Sequence, residues 1–130
     1  MSIIKEFEQK DLEDFHIGKY RCIIMQQETG HLCGYVDLPK GHPVADYEDY
    51  EDFWDSDIQV HGGITYMENY LHDSANNERE GNWIGFDCAH AGDRIPAYSD
   101  MYITKHDTFK NRNYVRKELD KLVKQLKELE

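Results

Sequence analysis

The chain has 130 residues, 39% of them hydrophobic, and its 15 basic against 26 acidic side chains leave a net charge of −11. That length suits one domain, residues 1–130, with a core of its own. The charge excludes a general binder of nucleic acid or anionic membrane, whose affinity comes from neutralising phosphate. Residues 1–104 carry 7 basic and 21 acidic side chains, near −14, whereas residues 105–130 carry 8 basic and 5 acidic, near +3. The acidity belongs to the body, and its partners are expected to be cationic: metal ions, or a basic groove on another protein.

Cys22, Cys33 and Cys88 are odd in number and form no CxxC pair. A reducing cytoplasm is therefore expected rather than a disulfide framework. The first residues turn acidic at once and lack the apolar stretch of a signal peptide. No run is long enough to span a bilayer.

In chain order, residues 2–14 predict a short helix capped by Ser2, with Ile3, Ile4 and Phe7 on one side. Lys19 to Met25 and His31 to Leu38 are β-branched and apolar runs around Thr29-Gly30, and they read as a hairpin. With Thr29-Gly30 as the turn, Cys33 faces Gln26 and Cys22 faces Asp37. The two thiols then share one face at roughly 13 Å, too far apart to share a zinc ion. Both are packing residues.

Pro39-Lys40-Gly41-His42-Pro43 is a turn by its chemistry. Residues 46–57 hold seven acids and four aromatics. Tyr47, Tyr50 and Trp54 recur at helical spacing, which predicts a short helix resting its rings on the core. Such a segment is either a solvated acidic face or a patch that docks into a basic groove, with Tyr47, Asp49, Tyr50, Glu51, Asp52, Trp54 and Asp55 as contacts.

Two runs of strand character follow, Asp57 to Tyr66 and Asn82 to Asp87, each ending in turns that carry His or Asp beside glycine. The insert between them, Glu68 to Gly81, reads as a loop with a helical turn at Tyr70-Leu71. Pro96 keeps its segment out of any central strand. Met101 to Thr104 is a last strand or a lead-in to the terminal helix. From about Asp107, Val115, Leu119, Leu122, Leu126 and Leu129 recur at steps of four and three. That seam either packs on the protein's own sheet or makes a homodimer through residues 115–129. Tyr114 and Val123 widen the stripe, which favours the sheet.

His61, Asp87, His90 and Asp93 carry the chemistry. Imidazoles and carboxylates at turns are ordinary ligands for zinc or manganese. His90 lies three residues from both aspartates, and His61 completes the set if its strand neighbours Trp83–Phe86. His42 is the reserve. The same residues equally suit a hydrogen-bonded lock between loops. A bound ion would activate water for phosphodiester hydrolysis, with His90 or Asp93 as base. The nearby cations in sequence are Arg79 and Arg94 alone, which is poor support for developing negative charge. Cys88 is a weak nucleophile candidate because neighbouring carboxylates raise its pKa. A third reading is a pocket that sequesters a signalling nucleotide, with Trp83, Tyr66 or Trp54 stacking on the base.

Cys33-Gly34-Tyr35-Val36, Pro39-Lys40-Gly41-His42-Pro43, His61-Gly62-Gly63-Ile64-Thr65-Tyr66 and Gly85-Phe86-Asp87-Cys88-Ala89-His90-Ala91-Gly92-Asp93, in that order, resemble a family of small proteins found mainly in bacteriophages and prophages. The resemblance spans about residues 20–95 and leaves out the first 15 residues and the tail. It implies a mobile-element origin and expression in the cytoplasm of a bacterial host, and it supplies no catalytic role. Small acidic phage proteins often disable host defence machinery, CRISPR effectors included. The expectation is thus an α+β domain: a small, mostly antiparallel sheet with long polar loops, a core over about 17–104 and an amphipathic helix over about 107–130. Its expected function is inhibition of a bacterial defence component through the acidic aromatic surface.

Overall fold

The computed structural model describes residues 5–98 and 107–130. Five antiparallel strands form one sheet: β1 (Lys10–Ile17), β2 (Tyr20–Gln26), β3 (Leu32–Asp37), β4 (Tyr66–His72) and β5 (Glu78–Asp87), in the order β1-β2-β3-β5-β4. Between β3 and β4 lie a 3-10 turn (Pro43–Asp46) and the short helix α1 (Glu51–Asp55); α2 (Arg112–Glu128) ends the chain. The α+β class and the terminal helix are as expected from the sequence.

Alternation of side chains assigns each strand residue to a face. Tyr20, Cys22, Ile24, Val36, Ile84 and Phe86 point toward α2. Ile23, Met25, Cys33, Tyr35, Leu71 and Trp83 form a second cluster on the opposite face. There Arg79 of β5 reaches Asp11 of β1 at 2.6 Å, so strands that are not neighbours in the sheet meet over the second cluster.

The helix is where the periodicity predicts it, starting at Arg112 rather than about Asp107. Asn111 caps it by accepting from the Tyr114 amide at 2.9 Å. Val115, Leu119, Leu122, Val123 and Leu126 are all sealed against the protein's own β2 and β3. The seam therefore packs on the protein's own sheet, the alternative that the widened stripe favours over a homodimer through residues 115–129; Leu129 alone of that series is exposed.

One helix, about 10–12 Å across with its side chains, cannot cover five strands spaced about 4.8 Å apart. The rest of the sheet is covered by residues 38–64, which insert Leu38, Val44, Phe53, Val60 and Ile64.

Several expectations are corrected. Residues 10–14, expected to be helical, belong to β1, because Leu12, Phe15 and Ile17 rest on the core and a bulge between Asp11 and Glu13 adjusts their phase. Residues 5–9 are irregular rather than helical, and residues 2–4 of that expected helix lie outside the described residues, as does Met101 to Thr104. The β2–β3 hairpin pairs Gln26 with Leu32 and Met25 with Cys33, one residue away from the expected register. Its connection is closed by Gln27 N–H donating to the His31 carbonyl, with Gly30 at φ +84° completing the turn. A one-residue slip moves side chains to the other face, so Cys22 and Cys33 lie on opposite faces. Both are buried packing residues, and burial pushes their thiols up, to about 12 and about 11.

The expected Glu68–Gly81 loop is mostly hairpin, with only Asp73–Asn77 between the strands. Asp73 Oδ1 accepts from the Ala75 and Asn77 amides, which closes the turn. The polar composition that suggested a loop reflects an edge strand: Glu68 and Asn69 of β4 face solvent, and polar edges resist stray strand pairing. Conversely, residues 57–65 are turns and irregular backbone, not strand, because Asp57 (φ 61°), Gly62 and Gly63 break the run.

Two strand glycines make the packing possible. A Cβ on Gly34 would sit 2.7 Å from the Phe86 ring and 3.2 Å from Leu119; one on Gly85 would sit 2.5 Å from the Tyr35 ring and 2.8 Å from a backbone oxygen. Each glycine leaves room for an aromatic ring from the neighbouring strand. Gly34→Ala and Gly85→Ala are each expected to lower unfolding free energy by about 1–3 kcal/mol through overpacking, measured by urea denaturation.

Candidate functional site

Two features attract functional attention, a His/Asp network beneath α2 and an acidic aromatic surface around α1. The network begins at the turn His61-Gly62, where Gly62 (φ 70°) leaves the space that the His90 ring fills; a Cβ there would collide with that ring. His61 is held from α2. Its amide donates to Glu118 Oε1 at 2.8 Å, and its Nδ1 lies 2.7 Å from the Tyr114 hydroxyl. Two residues earlier, the Gln125 side-chain amide exchanges two hydrogen bonds of 2.7 Å with the Gln59 backbone. His61 thus arrives from a turn stitched to the helix, not from a strand beside Trp83–Phe86.

Asp93 is the hub, with only 1% of its side chain exposed. Its Oδ2 accepts from His61 Nε2 at 2.7 Å and from the His90 amide at 3.1 Å. Lys110 Nζ lies 3.2 Å from its Oδ1. A carboxylate accepts, so Nε2 of His61 carries the proton of that bond, while Nδ1 meets the Tyr114 hydroxyl. Burial raises the Asp93 carboxyl, but His61, the His90 amide and Lys110 outweigh it and hold the group below the ordinary carboxylate range. Asp87 accepts from the Thr65 hydroxyl at 3.0 Å and from the Ala89 amide at 3.1 Å, and it lies 3.0 Å from His90 Nε2. That last contact is an ion-pair distance without hydrogen-bond alignment.

All four residues expected at a metal site, His61, Asp87, His90 and Asp93, are therefore brought together, but as two His–Asp pairs joined by the His90 amide. Among the described residues no three His, Cys, Asp or Glu side chains are arranged to hold a metal ion. The cationic place beside Asp93 is filled by Lys110, so zinc or manganese would have to compete with an ammonium and with His61. Lys110 also corrects the expectation that Arg79 and Arg94 are the nearby cations; Arg79 pairs with Asp11 over the second cluster. A carboxylate held below its ordinary pKa is a poor general base. Cys88 is buried, and burial raises its thiol well beyond the usual range. His42, the reserve ligand, is engaged elsewhere: Nδ1 accepts from the Val44 amide, so Nε2–H donates to the Leu126 carbonyl at 2.8 Å and ties the Pro-Gly turn to α2.

The acidic segment folds differently from its expected helix. Phe53, not Trp54, is the buried anchor, and Tyr47 packs edge-on against it at 5.0 Å. Asp52 Oδ2 accepts from the Glu48 amide at 2.9 Å, while Asp49 Oδ1 accepts from the Asp52 amide at 3.3 Å. Tyr47 and Asp52 thus serve the local fold. Asp49, Tyr50, Glu51, Trp54 and Asp55 face solvent, with Trp54 75% exposed. Of the aromatics suggested for stacking on a base, Trp83 is 1% exposed and offers no face, and Tyr66 packs edge-on against Tyr35.

Tyr114, Glu118, Gln125 and Lys110 were not singled out from the sequence as site residues. Their signal is a polar row, Tyr114, Glu118, Lys121, Gln125, running beside the apolar stripe at the same helical steps.

Asp93→Asn is expected to cost about 2–3 kcal/mol, the value of a charge-assisted buried hydrogen bond. Because folding lowers the Asp93 pKa, this stabilisation is fully present above the ordinary carboxylate value and is lost as pH falls through the lower folded value. Unfolding free energies of the native chain and the variant should therefore converge in acid and separate toward neutrality.

No family model matches the chain, and neither a curated protein nor a solved structure matches it.

Proposed function

We propose that this chain is a binding protein that docks through its acidic aromatic surface onto a basic surface of another protein. The observation that supports this reading best is Trp54. A large indole stands 75% exposed on a helix whose neighbour Phe53 is its anchor, amid Asp49, Glu51 and Asp55. Nothing in the local fold needs that ring outside. Exposed tryptophans in such settings are the residue type that dominates interface energetics, and surrounding carboxylates steer a basic partner. The motif resemblance to phage and prophage proteins favours a component of bacterial defence as partner, inhibited in the host cytoplasm. In this reading the His/Asp network holds the scaffold and does no chemistry. Among the described residues no helix is long and apolar enough to cross a membrane.

Immobilised chain incubated with bacterial extract should retain a protein with a basic face, and raised salt should release it. Trp54→Ala alone, or Asp49→Asn with Glu51→Gln and Asp55→Asn, should weaken retention about tenfold or more without moving the thermal midpoint. Undiminished retention by both variants would refute the docking surface.

A further inference from the structure

The outer side of α2 carries charge of the opposite sign to α1. At 3.6 residues per turn, Lys117, Lys121 and Lys124 project from the side of the helix opposite its buried seam, and all three are exposed. They stand within about 10 Å of one another along the axis. Arg112 and Arg116, on the flank, turn instead to Glu13 of β1, and Lys121 has only a 3.9 Å approach to Glu118. The three ammoniums thus form a short cationic row facing solvent, on a chain whose net charge is −11.

Helix α1 matches that row in spacing. Phe53 points inward, so Glu51 and Asp55, two residues to either side, point outward into solvent. They are four residues apart, as are Lys117 and Lys121, which is about 6 Å along either helix. Trp54 stands exposed beside them. An indole face attracts an ammonium, and a lysine stem offers methylenes for it to pack on.

The fold sets the two surfaces side by side. Phe53 and the α2 seam belong to one core cluster on one face of the sheet, so the outer sides of both helices look away from it. A two-fold axis between them brings α1 of one copy onto α2 of the other and makes every contact twice, the self-complementary closure commonest among oligomers. The net charge of each copy opposes this. At about 0.1 M salt the Debye length is about 10 Å, so the facing rows attract across the contact while more distant acids are screened.

We infer that the outer side of α2 receives the α1 surface of a second copy, with Glu51 and Asp55 on the lysine row and Trp54 against a lysine stem, in a two-fold dimer. The seam stays on its own sheet. Exposed ion pairs are individually weak, so the dimer belongs to high protein concentration. The inference rests on the docking reading only in taking α1 as a contact surface, and a basic partner would displace the second copy from the same residues.

Sedimentation equilibrium of the full chain tests this, from about 10 µM to about 1 mM at about 0.1 M salt. The native chain is expected to pass from monomer to dimer over that range. Glu51→Lys with Asp55→Lys, and separately Lys117→Glu with Lys121→Glu and Lys124→Glu, should each lower the association constant about tenfold or more, because like charges then meet. An equimolar mixture of the two variants should regain the dimer, since each contact again joins opposite signs. Both variants keep a net negative charge, so recovery on mixing reports the local contact rather than overall attraction. The substituted side chains are all exposed, and unchanged thermal midpoints would show that the variants fold. A native chain that stays monomeric, a variant that dimerises undiminished, or a mixture that stays monomeric would each overturn the inference. A monomeric chain that still retains its protein from bacterial extract sinks the dimer alone, and a dimer without such retention sinks the docking reading alone.

Discussion

The structure depends on α2 presenting two different stripes at once. Val115, Leu119, Leu122, Val123 and Leu126 form the apolar one, buried against β2 and β3. Tyr114, Glu118 and Gln125 form a polar row beside it, and this row holds the loop from Gln59 to His61 by hydrogen bonds. Shifting the helix by one residue would break both sets together. Burial of the apolar stripe supplies the driving force, since that term is large and non-directional. The polar row supplies direction, because each hydrogen bond tolerates little misalignment.

From that arrangement the rest follows by geometry. A single helix shields only part of a five-stranded sheet, so residues 38–64 must complete the cover. His42 fastens the start of that segment to the Leu126 carbonyl, and His61 fastens its end to Tyr114 and Asp93. Between these two fixed points the chain carries Phe53 inward and Trp54 outward. The turn histidines and aspartates thus set the position of a surface that they do not belong to. The charge distribution completes the picture. The tail's excess of basic residues is partly used inside the fold, as where Arg116 pairs with Glu13 at 2.8 Å and Lys110 with Asp93, while the acids of α1 remain in solvent.

What could be read from the sequence divides along physical lines. The α2 seam was legible because five apolar residues at helical steps have one simple explanation, and the first hairpin was legible from β-branched runs around Thr29-Gly30. The register was not: whether Gln26 pairs Leu32 or Cys33 depends on a turn closed by Gln27 and His31, which composition does not encode. β4 was missed because an edge strand need not be apolar, and Glu68-Asn69-Tyr70 reads like a loop. β1 was missed because a bulge breaks the alternation of Leu12, Phe15 and Ile17. The grouping of His61, Asp87, His90 and Asp93 was foreseen from glycine-flanked turns. Its character was not, since Lys110 and Tyr114 join it from a segment distant in sequence.

The central claim is that contact with a partner occurs at α1, while the His/Asp network stays a scaffold. Amide hydrogen exchange of the chain, alone and saturated with the protein it retains from a bacterial extract, measures this directly. The account predicts new protection across Tyr47–Asp55, with unchanged exchange at His61 and across Asp87–Asp93. Protection centred on His61, His90 and Asp93, with α1 unaffected, would contradict it.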